Sequence, residues 1–523
     1  MEIAVYLAPE HLEVLRNLGQ FYVDTTNFPP GIEYAKKCYS IAEKLSDKIF
    51  DNHMIIRGMM YAGGCNEEVK ELIDRQESLL ESFIKESPIN LGTSISLMRL
   101  YNSSFFFPYV QDSPVTNVRL RHQVAKVCQA NMEDSHKEEV KKYRQRLSTL
   151  QGTKSLGKPL KIGYVSHCLK RHSVGWIARW LFEYHDRDKF EIYAYLVAAK
   201  NRNDPLQQWY VNKVNKAYKY GIIGAEITEQ IYEDEIDILI DLDSSTLTNT
   251  CGIMALKPAP IQVTWLGWDA SGIPTVDYYI ADPYVLPDDA QDYYSEKIWR
   301  LPQTYVAVNG FEVGVPSIRR EDLNIPSDAV IYFSIQKGPK YNPQMLRLQM
   351  KILQDVPNSY FLIKGFGNED FLNESIIDVA EKEGIDRKRL KFTDRVPFEE
   401  IHRANLGIAD VVLDTYPYNG ATTTLETLWM CIPMVTRVGE QFAARNSYTM
   451  MINAGITEGI AWSDEEYVEW GIRLGKDENL RQQISWKLRK SRQTAPLWNA
   501  RQFTLEMEKA YQQMWEKYIE GGS

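Results

Sequence analysis

From Lys158 onward this chain of 523 residues alternates short β-rich apolar runs with stretches of helical spacing, and it does so twice. The first series carries Lys161-Ile162-Gly163-Tyr164-Val165-Ser166, Phe190 to Val197, Ile236 to Leu242, Gln262 to Leu266 and Tyr278 to Ala281, with Val174, Ile177, Leu181 and Tyr184 at helical spacing. The second begins beyond Val315-Pro316-Ser317 and carries Ala329 to Ser334, Tyr360 to Lys364, Leu390 to Thr393, Ala409 to Asp414 and Met434 to Thr436. Apolar runs of strand length separated by helices are what parallel sheets covered on both faces require. Each series therefore predicts one Rossmann-like α/β lobe, over 156–316 and 317–523. Length demands a division as well, since single cores stop growing near roughly 250–300 residues. Ligands of such sheets bind outside the carboxyl ends of the strands, so the crevice framed by the two lobes is the expected site. A last stripe, Phe503, Met507, Tyr511, Met514, Trp515 and Tyr518, lies on a long helix and reads as core packing.

Residues 1–155 show no convincing strand run, and their apolar residues recur at helical spacing. Leu18-Gly19-Gln20-Phe21-Tyr22 followed by Ala35, Tyr39 and Ala42 fits one tetratricopeptide-like unit, with Asn27-Phe28-Pro29-Pro30 as an inter-helix turn about four residues longer than the standard repeat. A lone unit cannot bury its faces, so neighbouring helices must complete the stack, and a plain helical bundle is the equal alternative. Stacked helices offer a surface for docking protein acceptors and for self-association into a homo-oligomer.

Several classes are disfavoured by composition. No apolar run approaches the roughly 20 residues of a membrane span, and the segment from Met1 to Glu10 has no basic stretch ahead of an apolar one. Cysteines at 38, 65, 128, 168, 251 and 431 have neither paired zinc-site spacing nor disulfide density, which fits a reducing cytoplasm. A net charge of −10 spread along the chain argues against nucleic acid as the main partner. The expectation is a cytoplasmic protein that binds neither membrane nor nucleic acid.

The sharpest local signal runs from Ala409 to Glu426. A buried strand, Ala409-Asp410-Val411-Val412-Leu413-Asp414, enters a turn with Pro417, Asn419 and Gly420, and Thr422, Thr423 and Thr424 then open a helix with Leu425, Leu428, Trp429 and Ile432 on its apolar face. A helix start offers unpaired N–H groups and partial positive charge, which together with hydroxyls make a diphosphate site. The plainer alternative is that one threonine caps the helix.

This stretch resembles the Asn-Gly-His-Thr-Thr signature of the O-linked N-acetylglucosamine transferase and SPINDLY family. Further matches follow in the family's order: Gly163-Tyr164-Val165-Ser166 with His172, Pro258-Ala259-Pro260-Ile261-Gln262 leading to Trp265-Leu266-Gly267, and Tyr293-Tyr294-Ser295-Glu296-Lys297. Beyond them come Val356-Pro357-Asn358-Ser359, Glu399-Glu400, and Gly439-Glu440 with Arg445, so the likeness covers about 158–520 and is similar to bacterial members with few repeats. It implies a GT-B fold of two Rossmann-like lobes, with the nucleotide held mainly by the second. The implied activity is inverting, metal-independent transfer of a sugar, N-acetylglucosamine from UDP-GlcNAc, onto Ser or Thr hydroxyls of a protein, with no cofactor and no metal. By the same likeness Lys340 neutralises the leaving diphosphate, Gln336, Asn419, Gly420, Thr422, Thr423 and Arg445 bind the donor, and Glu426 reaches the ribose. Trp265 and Gly267 would lie in the acceptor cleft, and His172 is the candidate base or the group that positions the acceptor.

Some residues depart from that pattern. Ala421 replaces the signature histidine, and Ile401 stands where animal members have a histidine beside the nucleobase. His167 has no assigned counterpart. Asp241 and Asp243 form the Asp-x-Asp pair that metal-dependent transferases use on the diphosphate, and Asp288-Asp289 is a second acidic pair. Three readings stay open: the N-acetylglucosamine transferase, an enzyme using GDP-fucose or another sugar nucleotide, and a helical adaptor with an inactive transferase body.

Overall fold

The computed structural model describes residues 9–91, 94–150, 158–199, 203–221, 224–364 and 370–521. The first eight residues and the expected boundary at 155/156 lie outside them. The compact units are not consecutive stretches of chain. One comprises Met1–Leu79, Phe106–Ser113 and Gly310–Trp498, and the other Leu80–Phe105, Pro114–Asn309 and Asn499–Ser523. The N-terminal helical residues are thus shared between two units, and the C-terminal helix belongs with the earlier sheet.

In the unit containing 114–309, seven parallel strands lie in the order β3-β2-β1-β4-β5-β6-β7. They are β1 (Leu160–Ser166), β2 (Phe190–Leu196), β3 (Lys216–Lys219), β4 (Ile238–Asp241), β5 (Ile261–Thr264), β6 (Tyr278–Ala281) and β7 (Lys297–Arg300). The five apolar runs of the sequence became β1, β2, β4, β5 and β6. The edges β3 and β7 carry lysines at exposed positions and lack the apolar signature that burial on both faces imposes. The helix Ala500–Ile519 packs on the helix Ser173–Tyr184 and buries Phe503, Met507, Tyr511, Met514 and Trp515 of the stripe expected to be core, with Tyr518 half-buried.

In the unit containing 310–498, six parallel strands lie in the order β10-β9-β8-β11-β12-β13. These are β8 (Val330–Ser334), β9 (Ser359–Lys364), β10 (Leu390–Thr393), β11 (Val411–Leu413), β12 (Met434–Arg437) and β13 (Ile460–Ala461). Only β13, two residues long, had no run to announce it.

Three helices open this unit: α1 (Leu12–Asp24), α2 (Phe28–Ile41) and α3 (Leu45–Gly63). The α1–α2 pair is the tetratricopeptide-like hairpin. Its backbones approach at Gly31, where a Cβ would stand 3.0 Å from the Gly19 carbonyl and 2.7 Å from Val23, and Tyr22 stacks on Tyr34. The long inter-helix turn expected at Asn27-Phe28-Pro29-Pro30 does not exist. Phe28 to Pro30 form the first turn of α2, where proline loses no helical hydrogen bond. Beyond α3, Gly64 holds φ +74°, and a Cβ there would sit 2.7 Å from the Tyr341 carbonyl, which accepts from Cys65 N–H at 2.8 Å. Only glycine permits both the backbone angle and that approach. Among the described residues no helix is long and apolar enough to cross a membrane.

Candidate functional site

Each sheet reverses its strand order once, between β8 and β11 in one unit and between β1 and β4 in the other. Loops leaving such a pair diverge and open a crevice beyond the strands' carboxyl ends. The two clusters of chemically notable residues sit at these two places.

After β8 the chain passes through Gln336 and Lys337 into a 3₁₀ turn, Gly338–Lys340, and Asn342 caps the next helix by accepting from Met345 N–H. The Asn342 amide also donates to the Tyr416 carbonyl at 2.7 Å, tying this loop to the one after β11. In that second loop Asp414 is fully buried. Its Oδ1 accepts from the N–H groups of Thr415 at 2.9 Å and Gly420 at 2.8 Å, and its Oδ2 accepts from the Thr436 hydroxyl at 2.9 Å. This carboxylate folds 415–420 back over the strand end, although burial holds its pKa above the ordinary value. The Gln336 amide donates to Asp414 Oδ1 and to Thr423 Oγ1, both at 3.2 Å. At Gly420 a Cβ would meet Thr423 Oγ1 at 2.5 Å, Thr424 Oγ1 at 2.7 Å and Gln336 Nε2 at 2.9 Å, so the turn has no room for a side chain.

The helix that follows, Thr422–Trp429, is capped by Ala421 with no side-chain hydrogen bond. The plainer alternative for the threonines is thereby removed, because none of them caps. Thr424 bonds the Ser447 hydroxyl at 2.7 Å, and Thr422 and Thr423 remain partly accessible at a helix start that keeps its positive end.

Lys340 closes the cluster. Its Nζ donates to the Asn419 carbonyl at 2.6 Å and to Gln336 Oε1 at 3.0 Å, and it stands 4.7 Å from the centre of the Tyr418 ring. Each of these partners is uncharged. Burial pushes the lysine down to about 7, with the Asp414 charge opposing and Lys337 adding to the shift. Sequence brought Gln336, Lys340, Asn419, Gly420, Thr422 and Thr423 forward separately, and the structure joins them.

Glu426 lies deeper on the same helix. It accepts from Arg403 Nη1 at 3.2 Å and faces His402 Nε2 at 3.5 Å. Burial would raise its pKa, but His402 and Arg403 together hold it below the ordinary carboxylate value. His402 in turn meets Lys364 Nζ through Nδ1 at 2.9 Å, and burial draws that lysine down to about 8. His402 adjoins Ile401, the position that departs from the family, and sequence assigned it no role. Arg445 donates to the Gly439 carbonyl at 3.0 Å and lies over Tyr448.

In the other unit β1 ends at Ser166 and β4 at Asp241, and the residues after them converge. Asp243, fully buried, accepts from the Ser166 hydroxyl at 2.6 Å, from His167 N–H at 2.8 Å and from the Thr250 hydroxyl at 3.2 Å. His167 Nδ1 is 3.0 Å from Asp243 Oδ2. Asp241 accepts from the N–H groups of Asp243 and Ser244. Burial and the neighbouring Asp243 charge raise Asp241, whereas Asp243 itself, raised by burial, is drawn below the ordinary value by His167 and Ser166. The Asp-x-Asp pair is therefore spent on holding two loops. His167, Cys168 and His172 bring their nitrogen and sulfur atoms within 4.8 Å of one another. His172, however, is the N-cap of Ser173–Tyr184 and accepts the Val174 N–H at Nδ1, which puts its ring proton on Nε2, the nitrogen 3.8 Å from Cys168 Sγ. A cation would need a lone pair there.

Trp265 and Gly267, expected in the acceptor cleft, follow β5. Trp265 is 1% exposed and donates its indole N–H to the Tyr305 carbonyl at 2.8 Å. A Cβ at Gly267 would lie 2.0 Å from the Leu242 carbonyl. Both residues pack the turn after β5 against the end of β4.

The model of glycosyl transferase family 41 matches residues 103–312 and 307–507. The chain belongs to this family. Relatives within it include the Arabidopsis thaliana protein named probable UDP-N-acetylglucosamine–peptide N-acetylglucosaminyltransferase SPINDLY, 31% identical over 374 residues, which are 70% of this chain and 40% of that protein. The Arabidopsis thaliana protein named SEC, with the same probable activity, is 30% identical over 374 residues, 70% of this chain and 38% of its own length. The chain thus spans about two fifths of the length of the curated relatives it matches. Among solved structures, a Thermobaculum terrenum O-GlcNAc transferase mutant superposes with a TM-score of 0.78 at 24% identity, over 99% of this chain and 93% of that one. The family 41 fold is thus the GT-B fold expected from sequence, two parallel-sheet Rossmann-like lobes with a helical N-terminal region.

Proposed function

We propose that this family 41 chain transfers a sugar, N-acetylglucosamine from UDP-GlcNAc, onto serine or threonine hydroxyls of proteins, with inversion and without a metal. The arrangement at the β8/β11 crevice carries the reading. Lys340 is held on neutral partners, against the start of a helix that no side chain caps and beside two accessible threonines. A departing nucleoside diphosphate gains charge as the glycosidic bond breaks, and a preorganised cation with helix N–H groups stabilises that charge more than it stabilises the bound donor. In this assignment Thr422 and Thr423 hold the diphosphate, Gln336, Asn419 and Gly420 shape its seat, and Glu426 and Arg445 lie farther along the donor. The activities named for the plant relatives support the donor and the peptide acceptor. All six cysteines are buried and unpaired, which suits a reducing compartment.

The test is to incubate the purified protein with UDP-GlcNAc, GDP-fucose and a panel of other sugar nucleotides, with and without peptide acceptors, and to measure free nucleoside diphosphate and modified peptide. Transfer from UDP-GlcNAc supports the proposal. Transfer from a guanosine donor alone reassigns the sugar, and binding without turnover of any donor leaves the adaptor reading.

A further inference from the structure

The geometry points to Lys364 as the residue that reads the donor's nucleobase and selects a keto base, an assignment that rests on the donor reading above. Lys364 is the last residue of β9. Ser334 pairs with Ile363 across the parallel ladder, so Lys364 stands beside Ile335, the residue ahead of Gln336. It therefore lies at the carboxyl edge of the sheet, where open α/β sheets bind ligands, on the side of β8 away from β11. The proposed diphosphate seat is built from the loops after β8 and β11. From β11 to β9 is two strand spacings, about 10 Å, a distance within the reach of an extended nucleotide from its diphosphate to its base.

A chain of contacts marks the direction. Glu426, placed farther along the donor than the threonines, sits one helical turn beyond Thr422 and Thr423. Its Oε2 is 3.5 Å from His402 Nε2, and His402 Nδ1 accepts from the Lys364 ammonium at 2.9 Å. An ammonium has donors only, so the neutral ring carries its proton on Nε2, toward the carboxylate. The imidazole thus stands between cation and acid and keeps the two from closing into a salt bridge. Arg403 donates to Glu426 Oε1 at 3.2 Å and fixes the acid. Lys364 is thereby a positioned, half-buried cation at the ligand edge. Burial lowers its pKa, the Glu426 charge opposes, and Arg395 and Lys337 add to the fall, so an accepting oxygen on a ligand would offset the cost. Lys337 acts on Lys340 in the same way, which places both buried lysines in one field.

Nucleobases divide by the group such a cation meets. Uracil O4 and guanine O6 are acceptors, whereas cytosine N4 and adenine N6 are amino donors at the corresponding ring position. An ammonium bonds the first two and faces the other two donor against donor, which leaves polar groups on both sides unpaired. A site built on a hydrogen bond rejects the wrong partner more strongly than an apolar pocket does. One contact reads the keto oxygen of either base.

The experiment measures binding of UDP, CDP, GDP and ADP to the full chain by calorimetry, for the parent, K364M and K364Q, with folding followed by circular dichroism. In the parent the keto member should bind about 10-fold or more tightly than the amino member in at least one ring class. A preference for UDP over CDP assigns uracil, and one for GDP over ADP assigns guanine. K364M should bring that pair within about threefold by weakening the keto member. K364Q, whose amide offers a carbonyl as well as N–H groups, should narrow the pair chiefly by tightening the amino member, and it decides the matter if K364M fails to fold. A parent without a keto preference overturns the assignment. So does a folded variant that weakens both members of the pair by the same factor, the result expected of a ribose or phosphate contact. Either result leaves the transferase reading intact if the parent still moves sugar to a peptide. A parent that discriminates between the bases yet transfers no sugar overturns the transferase reading alone, and one that binds none of the four nucleotides overturns both.

Discussion

The Tyr109 ring lies on the Tyr418 ring with centroids 4.2 Å apart, and the same Tyr418 ring carries the Lys340 ammonium. Three residues on, Asp112 accepts from the Tyr416 hydroxyl at 3.0 Å and from the N–H groups of Glu440 and Gln441, both at 2.8 Å. A short segment far from the site in sequence thus braces the loop after β11 and the turn after β12. Asp112→Ala should leave the N–H of buried Gln441 and that of exposed Glu440 without their carboxylate partner and lower donor affinity about 10-fold, near 1.4 kcal/mol, while touching no part of the donor. Tyr109→Ala should do the same through lost stacking. Calorimetry with UDP-GlcNAc checks both, and unchanged affinity in both variants would show the brace to be idle.

The same bracing changes what truncation should do. Read from sequence, the helical residues are a docking surface whose loss harms transfer to protein acceptors more than donor hydrolysis. In the structure Gly64 and Cys65 pack on the Gly338–Tyr341 loop, and Tyr109 and Asp112 on the loop after β11. Removing residues 1–150 should therefore abolish donor binding along with protein transfer. A truncated protein that still hydrolyses the donor at the parental rate would contradict this.

Gly420→Ala tests the turn itself. The added methyl would press on Thr423, Thr424 and Gln336 within 2.9 Å. The loop must shift, and Gln336 and Lys340 with it, so turnover should fall on the order of 10–100-fold with a measurable loss of thermal stability. Wild-type kinetics in this variant would show that the turn yields freely.

What the sequence could reveal follows from where physical constraints are local. Strands buried on both faces announce themselves, and β1, β2, β4 to β6 and β8 to β12 were all readable. The edges β3 and β7 were not, because half-exposed strands need no apolar run. Glycines and threonines of the loop after β11 were legible because a tight turn and a helix start restrict residue type. Asp112, Tyr109, His402 and the pairing of His167 with Asp243 were silent, since each acts through partners brought close only by the fold.

Chelation gives a separate check. In the proposed assignment Lys340 and the helix start already place positive charge at the diphosphate, and the Asp241 and Asp243 carboxylates are bonded to their own loops. Transfer should therefore survive excess chelator. Full loss, with recovery on adding magnesium or manganese, would return the acidic pair to the site.

Lys340 should be the most sensitive side chain of the proposed donor site, and its burial gives the test a pH signature. Lys340→Met keeps much of the stem's volume while removing the charge, so turnover should fall about 100-fold or more with a smaller change in donor affinity. In the free protein burial holds the ammonium near 7 against its ordinary 10.5. Between those values the unfolded chain binds more protons than the folded one, so stability rises with pH across that window, and below it the cost of the buried charge is complete. Lys340→Met should thus be more stable than the parent by on the order of 1–3 kcal/mol at acidic pH, with the gain disappearing toward pH 10. Donor binding reverses the balance, because the diphosphate restores the lysine's charge. At about pH 8 the parent should take up close to one proton per donor bound, at about pH 6 almost none, and the Met variant none at either. Calorimetry in buffers of different ionisation enthalpy measures that uptake directly, and equal proton uptake in parent and variant would remove Lys340 from the diphosphate.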